Sequence, residues 1–433
     1  MSPILVGVIG LAVFFLFLFI GLPVVACMLL VGIGGIALIT SMPAALNQAA
    51  TSAFSVITSY DFATLPLFIF MAEIISRGKL STNIYEFFRK TVGRIRGGLA
   101  MATVGFGATL GAMIASSLAT AALMAIVSNP EMEKSKYDKS LAAGSIVASS
   151  GLALMIPPSA LLILYGVLTG TSILKLFAGG IVPGILLGIL FMVVIYIQCL
   201  LKPELGPSGP KFGIKEIYKA FGSSWDGIFL IVFCIGGMLI GWFTPTEAGA
   251  VGAAGSLIVA TVKRSLTWQQ FREAIFGTLT LVGMMYGIMM GAFIFMSFTA
   301  LSTIPTWLGN FVVGLNLSPF AVMLVIICFY LALGTFMEEG TMIMVTIPIF
   351  FPLSLALGFD PVWFGIIIVL VMIAGGISPP TGMIMFTVAK MLKIPITTMY
   401  RGVWPFFLTE VLFAFILLFV PAIVTWLPGL ISR

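Results

Sequence analysis

The sequence predicts an all-α polytopic membrane protein made of inverted structural repeats, with two re-entrant hairpins and two helices broken by Pro-Pro pairs. Three observations predict it. Of the 433 residues 60% are hydrophobic and 8% charged, with a mean hydropathy of +1.20, whereas soluble proteins carry roughly 25% charged residues. Apolar runs of about 20 residues, enough to cross a bilayer, recur along the whole chain. Two of them are interrupted, by Ile156-Pro157-Pro158-Ser159 and by Ser378-Pro379-Pro380-Thr381, at matching places in the two halves. Proline lacks the amide hydrogen and its ring collides with the preceding turn, so each pair releases carbonyls and amides from helical bonding. At membrane depth such groups survive only inside protein or along a cavity. Paired breaks of this kind mark the ion and substrate sites of secondary transporters.

In chain order the pattern predicts spans at 4–22, 24–40 and 55–75, then an amphipathic interfacial helix at 79–96, too charged to span, with Leu80, Ile84, Phe87, Phe88 and Val92 among its basic residues. A hairpin follows at 97–130, a broken helix at 139–166 and a span at 177–200. Residues 201–225 are the most polar connection and read as a cytoplasmic linker. The second half repeats the scheme: spans at 226–243, 246–262 and 277–300, a hairpin at 318–353, a broken helix at 361–389 and a last span at 404–427. Trp268 and Phe271 suggest a second, shorter interfacial helix over 263–276, with an ordinary loop as the alternative. A shift of 222 positions superposes Pro23 on Pro245, Asp138 on Asp360, and Pro157-Pro158 on Pro379-Pro380. Residues 1–200 and 226–433 are therefore the two repeats.

Basic residues orient the chain. With each hairpin opening and closing on one side, 19 of the 21 Lys and Arg residues fall on a single face, leaving Lys175 and Arg433 opposite. The positive-inside rule makes that face cytoplasmic and both termini periplasmic. The basic loop 77–96 then faces inward, its uncharged counterpart 302–317 outward, and the repeats are inverted. The first segment lacks a basic leader and a small-residue cleavage site, so it reads as a retained helix.

Composition also excludes functions. There is no histidine, and the four cysteines lie in apolar segments without metal-ligand spacing. No GxxxxGK[ST] or GxSxG element is present, which argues against an ATP-driven pump and a membrane-embedded hydrolase. The net charge of +6 sits in loops and implies no nucleic-acid partner.

The first hairpin turns near Ser116, Ser117 and Thr120, the second near Glu338, Glu339 and Thr341. Together with Ser159 and Thr381, which follow the two Pro-Pro pairs, Ser116, Ser117, Thr120 and Thr341 are the candidate substrate-binding hydroxyls. Their alternative is the small-residue packing common in membranes. Hydroxyls and unwound carbonyls suit sodium, while helix N-termini at the same places suit an organic anion. A carboxylate within the hydrocarbon zone costs several kcal/mol, so Glu338 and Glu339 read as functional unless the turn is solvated. Glu73, Glu247 and Glu410 read as structural.

The runs Pro66-Leu67-Phe68-Ile69-Phe70-Met71-Ala72-Glu73, Tyr137-Asp138-Lys139, Ile156-Pro157-Pro158-Ser159, Thr244-Pro245-Thr246-Glu247-Ala248 and Asp360-Pro361 followed by Pro379-Pro380-Thr381-Gly382 resemble, in order, the large membrane (M) subunit of tripartite ATP-independent periplasmic (TRAP) transporters. The resemblance implies an elevator-type sodium symporter in the bacterial inner membrane. It implies a transport domain of about 97–175 plus 318–400 moving against the remainder as scaffold. Its partners would be a small membrane (Q) subunit and a periplasmic substrate-binding (P) protein that delivers an organic acid, such as a dicarboxylate or sialic acid. One sodium site would use Ser116 and Ser117 with Ala153, Ile156 and Pro157, the other Glu338 and Thr341 with Gly375, Ser378 and Pro379. The chain departs from the family pattern at both tips, with Ile114-Ala115-Ser116 in place of Ser-Gly-Ser and two acidic residues in place of one. The family acid aligns with Glu338, making it the expected ligand and Glu339 the lesser one. A stand-alone sodium/dicarboxylate symporter is the competing reading.

Overall fold

The computed structural model describes residues 2–77, 80–114, 116–314, 317–379 and 382–431, and among them every regular element is helical. The first half comprises α1 (Pro3–Phe19), α2 (Val24–Ile39), α3 (Met42–Thr58), α4 (Thr64–Arg77), α5 (Leu80–Val92), a hairpin of α6 (Gly98–Ile114) and α7 (Ser117–Val127), short α8 (Asn129–Lys134), the broken pair α9 (Lys139–Met155) and α10 (Ala160–Thr169), and α11 (Ile173–Leu201). The second comprises α12 (Ile214–Leu239), α13 (Pro245–Val262), α14 (Trp268–Leu301), α15 (Ile304–Gly314), a hairpin of α16 (Pro319–Gly334) and α17 (Glu339–Ala356), the broken pair α18 (Pro361–Gly376) and α19 (Met383–Leu392), then α20 (Ile396–Phe419) and α21 (Ala422–Ile431). Helix starts recur at the 222-residue offset: Ser117 and Glu339 open α7 and α17, Lys139 and Pro361 open α9 and α18.

The shared landmarks are helix caps. Asp138 accepts the Ser140 amide at 2.8 Å to start α9, and Asp360 accepts the Trp363 amide at 2.8 Å to start α18. A carboxylate there satisfies an orphan amide and meets the positive end of the helix dipole. From Leu141 to Met155 and from Val362 to Gly376 every residue is buried, so α9 and α18 form the centre of the molecule. α6, α7, α11 and α20 pack on α9, while α16, α17, α20 and α11 pack on α18. The partners thus exchange between halves: α10 lies on α17 and α19 on α7. Outside this centre α14 runs along α2, α3 and α4, and α13 along α4 and α12.

Four boundaries differ from the sequence reading. The 55–75 span is divided, because Ser59 leaves α3 in an extended conformation and a 3₁₀ turn at Asp61–Ala63 precedes α4. The expected interfacial helix at 263–276 is the first part of α14, where Thr267 and Gln270 form a reciprocal cap that launches one continuous helix. The linker is shortened because α12 begins at Ile214. The last span ends at Phe419, and α21 follows the Pro421 turn. Segment 80–92 is helical, with Ile84 and Tyr85 buried, and it packs on α6 and α12. Its Arg89 bonds Glu86 at 2.9 Å and Glu131 of α8 at 3.2 Å, so the charged face is knitted to the hairpin's far end.

α9 and α20 cross so closely that a Cβ on Gly402 would overlap the Ser140 carbonyl, and one on Gly144 the Gly402 carbonyl. Gly402→Val is expected to cost about 1–3 kcal/mol, as overpacking does. The check is the thermal midpoint in detergent, which should fall clearly for Gly402→Val and not for Gly283→Ala, whose Cβ would meet nothing within 4 Å.

Candidate substrate and cation site

Both hairpins present their second helix N-terminus at the turn. Ser116, extended at φ −140° and ψ 122°, caps α7 by accepting the Ala119 amide at 3.4 Å. Glu338 does the same for α17, its Oε2 accepting the Thr341 amide at 3.0 Å, and it is exposed. The next residue of each turn points inward. Ser117 is buried and its Oγ donates to Oε1 of Glu339 at 3.3 Å, joining the tips through positions 222 apart. Glu339 is 7% exposed. A Cβ on Gly376 would stand 2.9 Å from its Oε1, so glycine at the end of α18 makes room for the carboxylate.

Each tip is held beside a break. In the first half a Cβ on Gly111 of α6 would overlap the Ala153 backbone of α9; in the second, a Cβ on Gly334 of α16 would come within 2.6 Å of the Gly375 Cα. The peptide between Pro157 and Pro158 is cis. Ser159, fully buried, bridges that break: its Oγ donates to Leu154 O at 2.6 Å and accepts the Leu162 amide at 3.3 Å. Ser378 folds back similarly, its Oγ and amide both donating to Gly375 O at 2.8 and 3.0 Å. Thr381 and Pro380 lie outside the described residues.

A cavity of about 70 Å³ lies between the tips. Ser116, Ser117, Glu338, Glu339 and Gly340 line one side, Leu154, Ala160, Leu161 and Leu164 the first break, and Met284, Met285 and Ile288 of α14 the opposite wall. Its described lining includes no Lys or Arg. Of the sequence candidates the structure brings Ser116, Ser117 and Glu338 to this space, whereas Thr120, Ser159 and Thr341 are not in its lining. Thr120 is fully buried one turn beyond Ser117, and its Oγ1 has no partner among the described residues. Ala153, Ile156, Gly375 and Ser378 sit behind the tips, with Ala153 fully buried and Ile156 partly so.

Sequence reasoning ranked Glu338 above Glu339; the geometry gives the buried position to Glu339. The repeat held the signal, since the offset sets Glu338 opposite the capping Ser116 and Glu339 opposite the inward Ser117. Gly376 and the α14 methionines had no such signal, because nothing in one sequence says which apolar residues meet across a fold.

Residues 11–423 match the family described as the tripartite ATP-independent periplasmic transporter, DctM component. The chain belongs to that family. The C4-dicarboxylate TRAP transporter large permease protein DctM of Pseudomonas aeruginosa is 32% identical over 397 residues, covering 92% of each chain. The isethionate TRAP transporter permease protein DctMQ of Oleidesulfovibrio alaskensis is 31% identical over 96% of this chain and 65% of its own length. Among solved structures the YdaH transporter of Alcanivorax borkumensis superposes with a TM-score of 0.63 at 13% identity, covering 86% of this chain and 88% of its own. TRAP large permeases are secondary transporters rather than enzymes, and work with a substrate-binding protein and a small membrane subunit. The chain is accordingly the large-permease component of a TRAP transporter, with helices long and apolar enough to cross a membrane.

With Cys328, which is exposed, replaced by Ser, a cysteine at 338 should react with a membrane-impermeant thiol reagent about tenfold faster than one at 339. Glu339→Gln should reduce uptake severely and Glu338→Gln mildly, measured as initial rates in proteoliposomes. Equal labelling and equal, mild losses would mean that both carboxylates are solvated.

Proposed function

We propose that the chain is the permease of a sodium-coupled importer of an organic acid anion, working by an elevator motion. The observation that carries this reading is the junction of the tips by Ser117 and Glu339 beside both helix breaks. Two sodium ions would offset the two carboxylates of this centre, one at Ser116 and Ser117 with carbonyls of Ala153, Ile156 and Pro157, the other at the second tip with Gly375, Ser378 and Pro379. A substrate carboxylate would then meet α7's N-terminus. The α17 N-terminus already holds the Glu338 carboxylate, and with no Lys or Arg in the lining a second substrate anion would face Glu338 and Glu339. A substrate with one anionic group fits this arrangement better than a dianion.

Inverted repeats follow from the charge partition of the sequence, and the exchange of partners between α10–α17 and α19–α7 supports them. Because α11 and α20 pack on α9 and α18, the moving body would extend past 175 and 400 to include both. A cleft of about 680 Å³ between Ser59, Phe62, Thr171, Trp242 and Glu247 opens on the face that the charge partition makes periplasmic, where a binding protein would deliver substrate. The small membrane subunit would cover part of the remaining lipid-facing surface. Identifying the binding protein and testing whether the permease transports free substrate without it separates this reading from the stand-alone symporter.

Uptake by the assembled system should require an inward sodium gradient and neither ATP nor a proton gradient. Undiminished uptake from sodium-free medium at constant membrane potential would refute the coupling. Replacing Ser116 and Ser117 together by Ala removes two donors and one helix cap, a stability cost of about 1 kcal/mol. It should raise the half-saturating sodium concentration about tenfold while folded yield stays within twofold. An unchanged sodium titration would assign these serines to packing.

A further inference from the structure

Glu410 lies in the middle of α20 and is fully buried, and neither carboxylate oxygen has a hydrogen-bond partner among the described residues. It is remote in sequence from both tips and both breaks and does not line the cavity between the tips. On α20 it shares a stripe with Gly402, Phe406 and Leu417, and each of these meets a neighbour. Gly402 abuts Gly144 of α9, the Phe406 ring packs 5.4 Å from Phe191 of α11, and Leu417 O accepts the Trp363 indole of α18 at 3.0 Å. The face of α20 that carries Glu410 is therefore packed against α9 and α11, with α18 also against α20. The equivalent position in the first repeat is Gly188 on α11, so the carboxylate exists in one half only.

We propose that Glu410 is the anionic ligand of a further cation site, separate from the hairpin tips and occupied by a monovalent cation, either a proton or a sodium ion. A carboxylate at membrane depth with neither a donor nor a cation beside it costs several kcal/mol. The helices packed on α20 supply no protein cation at its level. Their charged and titratable groups are Lys139 and the capping Asp138 on α9, Asp360 capping α18, Lys175, Tyr196 and Cys199 on α11, and Lys390 on α19, with Tyr400 and Arg401 on α20 itself. All lie toward helix ends, whereas Glu410 is mid-helix. The α9 face offers no counter-charge either. Gly144 is level with Gly402 and the two helices start at the same end, where Lys139 and Ala142 share a pocket with Leu392 and Ile394. Residues 149–152 of α9 are then level with Glu410. Around that level the residues that share the α20-facing side with Ser140 and Gly144 are Val147, Ala148 and Gly151, none with a side-chain donor or charge, while Ser149 lies on the α6 side beside Gly107. Since α20 packs on both broken helices, a cation bound at Glu410 would travel with them.

Neither test needs the substrate. Infrared spectra of the purified, reconstituted permease, wild type against Glu410→Gln, read the carbonyl stretch of a protonated carboxyl group. Equilibrium binding of radioactive sodium counts ions per chain. A carboxyl band present in wild type and lost in Glu410→Gln assigns the proton. A decrease of one bound sodium per chain in Glu410→Gln, without that band, assigns sodium. Spectra and sodium counts that are both unchanged overturn the site. If Glu410→Gln does not fold, Glu410→Asp keeps the charge while withdrawing it from its neighbours, and should shift the band or weaken sodium binding at least threefold; no change in either overturns the proposal equally.

Discussion

The structure depends on one constraint: backbone polar groups at membrane depth have no water to turn to. Two helices broken near their middle would be unaffordable at the lipid surface, and the fold answers by burying every residue from Leu141 to Met155 and from Val362 to Gly376. The elements packed on these two helices complete that burial. The hairpins cover one flank of each broken helix and α11 and α20 the others. Close approach is made by Gly111, Gly334, Gly375 and Gly402, positions where a methyl group would meet backbone. Ser159 stitches the first break with its own hydroxyl, and Ser378 folds back onto the end of α18.

Much of this was legible in the sequence because the signals are local. Pro157-Pro158 and Pro379-Pro380 fix where helices must stop, Asp138 and Asp360 fix where they start, and their common offset fixes the repeat. The boundaries that were missed depend on context. Residues 263–276 look interfacial by their charges, yet Thr267 and Gln270 cap a helix that runs through to Leu301. Its counterpart in the first half is cut at Ser59, although both stretches are apolar enough to continue. The site was legible as a neighbourhood and less so as a set of ligands. Ser159 looks like a substrate hydroxyl in sequence, but its proton goes to Leu154 O and it accepts the Leu162 amide, and it does not line the cavity.

The two tips differ in charge while matching in geometry. Ser116 and Glu338 occupy the same capping position, and Ser117 and Glu339 the same inward position. A neutral tip facing an acidic one gives an asymmetric centre in a symmetric frame. Where a coupling cation must be held beside an anionic substrate, this asymmetry separates the two functions: the acidic tip favours cations and the neutral tip leaves its helix dipole free for the carboxylate.

Glu410 extends the same logic away from the tips. The equivalent position in the first repeat, Gly188 on α11, is uncharged. A carboxylate kept in one half, with both oxygens unpartnered among the described residues, destabilises the empty protein relative to that alternative. That cost is offset when a proton neutralises the carboxylate or a cation pairs with it. Binding of a cation and stability of the central bundle are therefore coupled at this point, by the same burial that lets α9 and α18 break within the membrane.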